Sequence, residues 1–187
     1  MIGLVLCGGQ SSRMGTDKGL MGSPQPWVLR AMQQLHHVQL ETLVSINAAQ
    51  QETYPAVVAA EILIPDNHAI AVKGPMLGIL SCFEQKNSDI LVLACDMPFV
   101  STTVLEILLA NYHQNPNYDA YLFEKDNNIE PLCGIYTSKG LKKIQDLLAL
   151  NNFSMKFFLS KLNVHTSLIT EEFYKNFVNV NKISSRK

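Results

Sequence analysis

Met1 to Leu6 reads MIGLVL, and it runs without a break into LCGGQSSRMGTDKG, residues 6–19. Ile2, Leu4 and Val5 form a short apolar run without polar alternation, the pattern of a parallel strand buried on both faces. Glycines that follow such a strand directly lie at its carboxyl end. In open α/β sheets that edge is where loops diverge, helices point their amino ends into the gap, and ligands bind.

Working outward, PWVLRAMQQLHH (26–37) carries Val28, Leu29, Met32 and Leu35 at helical spacing, with Pro26 suited to a first turn. Thr42–Ile46 and Glu61–Ile64 read as strands, and Met76–Gln85 as a helix entered through Lys73, Gly74 and Pro75. Asp89–Ala94 is the most continuous apolar strand; it ends on Cys95, Asp96, Met97 and Pro98 before a helix opens near Ser101, where Thr103 and Glu106 have the spacing of a capping box. Ala120–Phe123 and Leu132–Tyr136 are short strands separated by the polar turn EKDNNIEP. Lys139–Leu150 and Ser154–Leu162 have helical patterns, and the chain from Val164 onward gives no clear signal. Repeated strand-then-helix units predict a mostly parallel sheet covered on both faces, a three-layer α/β/α domain, with some antiparallel pairing around Tyr121–Tyr136. At 187 residues one domain over 1–187 is expected, its first half forming one wall of a cleft and its second half the other.

The composition narrows the function classes. A formal charge of −1, from 15 lysines and arginines against 16 acids, gives no overall field to gather nucleic acid or an anionic membrane, so an anionic ligand must be held by a local cluster. The apolar stretches are far shorter than a membrane span, and MIGLVLCGG has no basic leader or cleavage site, so a soluble cytoplasmic protein is expected. Cys7, Cys82, Cys95 and Cys133 are widely spaced, with no C-x-x-C or H-x-x-x-H pair; four buried thiols in a reducing compartment are expected, and no structural zinc.

The opening loop has the chemistry of an anion site. Gly8 and Gly9 let backbone N–H groups approach a phosphate closely, Arg13 offers a fork of donors, and Lys18 is a compact mobile charge. Two common phosphate loops are excluded. In a Walker A loop counted from Gly9 the second glycine falls on Met14, and Gly15 is followed by Thr16 instead of lysine; no G-x-G-x-x-G is present either. A flexible surface loop is the bland alternative. Asp96 stands just beyond a fully apolar strand, at the same sheet edge as Gly8, and its carboxylate suits Mg²⁺, although an aspartate ahead of Pro98 also suits a turn or cap. Asp66 follows Ile64 in IPDN, a turn sequence as much as a ligand site. In FVNVN, Asn179 and Asn181 share one side of a strand, either completing a metal or phosphate site or serving as polar edge residues. Gly74 and Gly78 belong to a second glycine loop that opens a helix, whose amino end favours an anion.

Together these residues resemble the molybdenum cofactor guanylyltransferases, nucleotidyltransferases with a Rossmann-like α/β fold. That family opens with a strand and L-A-G-G-x-S-x-R-M-G-x-D-K; residues 6–18 here read LCGGQSSRMGTDK, with Cys7 in place of alanine. The match continues through Asn47 and Ala48, Asp66, G-P-L-x-G as Gly74, Pro75, Met76 and Gly78, C-D-x-P as Cys95, Asp96 and Pro98, and the terminal FVNVN, so it covers nearly the whole chain.

The resemblance implies transfer of GMP from GTP to the terminal phosphate of molybdopterin, with Mg²⁺ as cofactor. It implies a nucleotide half over about 1–100 and a pterin half over about 101–187. Leu6, Cys7, Gly8, Gly9, Lys18, Asn47, Asp66 and Asp96 are then the GTP contacts, Lys18, Arg13 and Asp96 the catalytic residues, and Asp96 the metal ligand. Gly74, Gly78, Asn179 and Asn181 fall to the second-substrate or metal side. The implied partners are GTP and molybdopterin, with no nucleic acid or membrane, and transient contact with cofactor-delivery proteins suits that setting. Two departures fall where the second substrate is expected: Glu130 stands before Pro131 and Leu132, where relatives have glutamine or histidine, and Lys156 is the nearest cation in NNFSMKFFLSKL. Transfer from CTP, a nucleotide-sugar type of activity, or a catalytically weak nucleotide-binding protein in cofactor delivery are the rival readings.

Overall fold

The structure is a computed structural model, which describes residues 1–8, 17–150 and 154–178. Seven strands form one sheet: β1 (Ile2–Leu6), β2 (Thr42–Ile46), β3 (Leu63–Pro65), β4 (Ile90–Ala94), β5 (Ala120–Lys125), β6 (Asn128–Tyr136) and β7 (Val164–Leu168). Their order across the sheet is β3-β2-β1-β4-β6-β5-β7. Only β6 runs against its neighbours β4 and β5; the other adjacent pairs are parallel. This is the mostly parallel, partly antiparallel Rossmann-like arrangement that the sequence predicts.

The two-residue period of the strands sorts their side chains into two cores. Leu4, Leu43, Ile90 and Val92 face α2 (Pro75–Lys86), α4 (Ser138–Leu147) and α5 (Met155–Leu159), whereas Val5, Val44, Leu91 and Leu93 face α1 (Trp27–His37) and α3 (Thr102–Gln114). Strands buried on both faces need apolar residues at every position. That is why β1 and β4 read as uninterrupted apolar runs, and both are buried throughout.

Several boundaries move. Glu61–Ile64 is not one strand: Ala60–Ile62 makes a single 3₁₀ turn and β3 spans Leu63–Pro65, pairing with β2 from Val44↔Leu63 to Ile46↔Pro65. The polar turn expected over EKDNNIEP shrinks to Asp126 and Asn127, whose φ angles of 51° and 57° give the left-handed pair of a tight two-residue hairpin. The flanking polar residues continue the two strands. The Thr103–Glu106 capping box does not form, because α3 begins at Thr102 and extended Ser101 holds the N-cap position, leaving Thr103 inside the first turn. Thr102 Oγ1 instead donates to Gln34 Oε1 at 2.8 Å and ties α3 to α1. The segment without a clear signal contains β7, an edge strand parallel to β5, and a 3₁₀ helix over Glu171–Phe177. No helix among the described residues is long and apolar enough to cross a membrane.

Candidate active site

The order β3-β2-β1-β4 brings four parallel strands to a common carboxyl edge, and the residues that follow them line up there: Asp66, Asn47, Gly8 and Asp96. Backbone bonds extend the ladder past the strand ends, with Asp66 N–H on Ile46 O (2.9 Å), Cys7 N–H on Ser45 O (3.1 Å) and Cys95 N–H on Leu6 O (3.1 Å). Residues spread over ninety positions of sequence thus become lateral neighbours through sheet register alone. A β-carbon on Gly8 would stand 3.6 Å from Asp66 Oδ2 and 3.7 Å from Asn47 N, so the bare glycine leaves an open cradle facing both.

Lys18 reaches this row from the side. It opens a short 3₁₀ turn, Lys18–Leu20, capped by Asp17, and its Nζ lies 3.2 Å from Asp96 Oδ2. The pair is half-buried, at 25% and 16% side-chain exposure, and borders a cleft lined also by Leu6, Gly8, Pro75 and Leu132. Among the described residues beyond position 100, Leu132 lines the cleft; its N–H donates to Glu130 Oε1 at 3.0 Å, which places the Glu130 departure beside the cleft wall. Lys156 is an exposed residue of α5.

Two carboxylates in the row differ. Burial pushes the Asp66 carboxyl above the ordinary aspartate range, with the charge of His68 opposing, and its Oδ1 is buried with no hydrogen-bond partner among the described residues. A buried acceptor left this way is costly, and a ligand N–H or O–H would satisfy it. Asp96 instead faces a cation. Among the described residues no group of three or more histidine, cysteine or acidic side chains could enclose a metal ion; the hard oxygens of Asp96 are donors of the type that Mg²⁺ takes.

Asn47 is partly committed to structure: its Oδ1 accepts from Ala49 N–H at 2.9 Å and its own N–H donates to Gln50 Oε1 at 2.9 Å. A ligand contact from this side chain would use its amide N–H groups. Gly74 holds the N-cap of α2 at φ 70°, and Gly78 sits inside that helix, where a β-carbon would collide with Ser45 Oγ. Close approach of α2 to β2 is therefore what Gly78 provides. Gly9, Arg13, Asn179 and Asn181 lie outside the described residues. The four cysteines are buried and free; burial pushes Cys82 up to about 12, and the Cys7 thiol and burial push Cys95 up as well, so neither is a ready thiolate. Gln50 and Tyr54, which hydrogen-bond to Asp17 beneath Lys18, were not singled out by the sequence, and Asp17 was read only as the motif residue that adjoins the lysine.

A family model described as the MobA-like NTP transferase domain matches residues 3–165, a span that includes the four residues of the row and Lys18. The chain belongs to this family. Among relatives, a probable molybdenum cofactor guanylyltransferase of Flavobacterium johnsoniae is 27% identical over 179 residues, covering 95% of this chain and 90% of the relative. One of the same description from Bacillus mycoides is 30% identical over 184 residues, covering 96% and 90%. Among solved structures, molybdopterin-guanine dinucleotide biosynthesis protein A from Archaeoglobus fulgidus superposes with a TM-score of 0.79 at 23% identity, over 97% of this chain and 92% of that one. That likeness concerns the fold. As a member of the NTP transferase family the chain is a nucleotidyltransferase, and the row at the sheet edge is its candidate active site.

Proposed function

We propose that this protein transfers the GMP moiety of GTP to the terminal phosphate of molybdopterin, forming molybdopterin guanine dinucleotide and diphosphate. The observation that carries the reading is the convergence of the Lys18–Asp96 pair with the Gly8 cradle and the unpartnered Asp66 acceptor on one edge of the sheet. The guanylyltransferase relatives support it. In the reaction an oxygen of the acceptor phosphate bonds to the α-phosphorus of GTP as the bond from that phosphorus to the bridging oxygen breaks, and the electron pair leaves with diphosphate. Such a displacement asks the protein chiefly for alignment and for neutralisation of spreading charge.

Lys18 leaves Asp96 for the triphosphate, stabilising charge that develops on the leaving group. Arg13 and Gly9 lie in the same stretch of sequence, and with the Gly8 N–H they would add donors for the phosphates. Asp96 would hold Mg²⁺, which when bound supplies further charge neutralisation on the phosphates. Asp66, with an open acceptor, serves the N–H or O–H groups of the nucleoside, and a site built to pair a buried acceptor discriminates strongly against a nucleoside lacking the donor. Leu132 and the adjoining Glu130 belong to the acceptor side.

The test is to offer purified protein each nucleoside triphosphate in turn with molybdopterin and Mg²⁺ and to score diphosphate release. Release with GTP is expected. Release with CTP alone would replace the guanylyl reading by a cytidylyl one, and no release with any nucleotide would favour a nucleotide-binding role in cofactor delivery.

A further inference from the structure

Asp17 adjoins Lys18, yet its carboxylate is spent on the protein. Oδ1 accepts from Gly19 N–H at 2.9 Å and from the Tyr54 hydroxyl at 3.0 Å; Oδ2 accepts from Gln50 Nε2 at 2.5 Å. Gln50, 4% exposed, also donates from Nε2 to the Cys7 carbonyl at 3.0 Å and accepts on Oε1 from Asn47 N–H at 2.9 Å. One buried amide therefore ties together the exit of β1, the exit of β2 and the turn that carries Lys18. Tyr54 is fully buried beneath that turn, and Gly19 comes so close that a β-carbon there would collide with the tyrosine hydroxyl.

A lysine side chain has four rotatable bonds and little preference of its own, so where its ammonium can act depends on how firmly its backbone is anchored. Three donors on one carboxylate fix Asp17 at the base of the Lys18 turn, and two of them come from residues seated against the sheet. A shift of roughly 1 Å in a group that must meet the reacting phosphates costs on the order of a hundredfold in rate.

We propose that Asp17, Gln50 and Tyr54 form a positioning element that sets Lys18 over the cleft; they touch no reacting atom and act through the lysine. This rests on the nucleotidyl-transfer reading above. Asp17→Asn keeps one acceptor oxygen and replaces the other by an N–H₂ group, which must face either Gln50 Nε2 or the Gly19 and Tyr54 donors, and Tyr54→Phe removes one donor while keeping the ring in the core. Asp17→Asn is expected to lower kcat about ten- to a hundredfold, and Tyr54→Phe by less. The decisive readout is a double-mutant cycle. If Asp17 acts through Lys18, Asp17→Asn/Lys18→Ala loses no more activity than Lys18→Ala alone, whereas a general structural defect adds its full loss.

A second arm needs no turnover: acylation of Lys18 by an amine-reactive ester, followed by peptide mass spectrometry with Lys139 as internal reference. Faster relative acylation of Lys18 in Asp17→Asn and Tyr54→Phe supports the proposal. Additive losses in the cycle, wild-type kcat in both single variants, or unchanged acylation of Lys18 would overturn it. A wild-type protein inactive with every nucleotide refutes the transfer reading alone, and the acylation arm then decides the positioning role; Tyr54→Phe serves if Asp17→Asn does not fold.

Discussion

Lys18 and Asp96 meet at 3.2 Å at the carboxyl edge of the sheet; Lys143 and Asp119 meet at 2.6 Å at its amino edge. The residue types are the same and the surroundings are opposite. Asp119 is fully buried, accepts from Asn163 N–H at 2.9 Å as well as from Lys143, and through its own backbone carbonyl receives Thr137 N–H and hydroxyl, both at 3.0 Å. It fastens the start of β5 to α4 and to the approach of β7. Lys18 and Asp96 instead border the cleft, with Gly8 and Leu132 in its lining. What separates the candidate-site ion pair from the structural one here is access: Asp119 is wholly buried and held by Lys143, Lys139 and a backbone N–H, whereas Lys18 and Asp96 line an open cleft that a ligand can enter.

Three measurements would break or sharpen this contrast. The largest expected effect is on the cleft pair. Lys18→Ala should slow diphosphate release by roughly 10²- to 10³-fold, the range for deleting one donor aimed at developing charge. Its unfolding free energy in denaturant should stay within about 1 kcal/mol of wild type, as for a solvent-accessible ion pair. If stability fell as far as activity, the two edges would not differ in kind.

Asp119→Ala should do the reverse, costing about 2 to 3 kcal/mol in equilibrium unfolding, since it deletes buried charge-assisted hydrogen bonds, with kcat unchanged. The pH dependence follows from the same bonds. Burial alone would raise the Asp119 carboxyl, but hydrogen bonds from Lys143 and Asn163 N–H, with the charges of Lys143 and Lys139, hold it below the ordinary aspartate value of 3.8. Its contribution to stability is therefore present above that value and lost as pH falls through the lower folded one. Acid denaturation curves of wild type and variant should converge there.

The smallest effect concerns Asp66, whose pKa is shifted upward. An acid raised in the folded state favours the protonated form, so ionised Asp66 weakens the empty fold as pH rises through the raised value. On the proposed reading, nucleotide N–H donors bind the ionised form. GTP affinity, measured by calorimetry, should accordingly strengthen as pH rises through that value and level off above it, and Asp66→Asn should flatten the profile. A wild-type profile flat from the ordinary aspartate range upward would remove Asp66 from the nucleotide site.

The sequence was most legible where physics acts locally. Ile2–Leu6 and Ile90–Ala94 had to be apolar throughout because both faces are covered, and that alone located the glycine loop and Asp96 at the carboxyl edge. Lys18 and Asp96 were each readable, but their contact joins positions 78 apart and exists only because β1 and β4 are neighbours. Edge elements were harder to read. VHTSL of β7 is polar in keeping with its place at the edge of the sheet among the described residues, and β3 is short because it follows a 3₁₀ turn directly and ends at Pro65, which has no N–H for the ladder. Gln50 carried no signal at all, since an amide becomes a tie only when β1 and β2 deliver Cys7 and Asn47 to its two ends.

The reversed direction of β6 has a consequence for how such a protein can diversify. Because β6 runs downward, its first residues, Asn128–Leu132, lie at the same edge as Gly8 and Asp96, and they are reached through a two-residue hairpin whose tip is exposed. Lengthening or rewriting that hairpin alters one wall of the cleft while the parallel strands that carry Asp66, Asn47, Gly8 and Asp96 keep their register. If the row grips the nucleotide and the β6 side the acceptor, as proposed, the two tasks are inherited on separate pieces of chain, and one can drift without the other being lost.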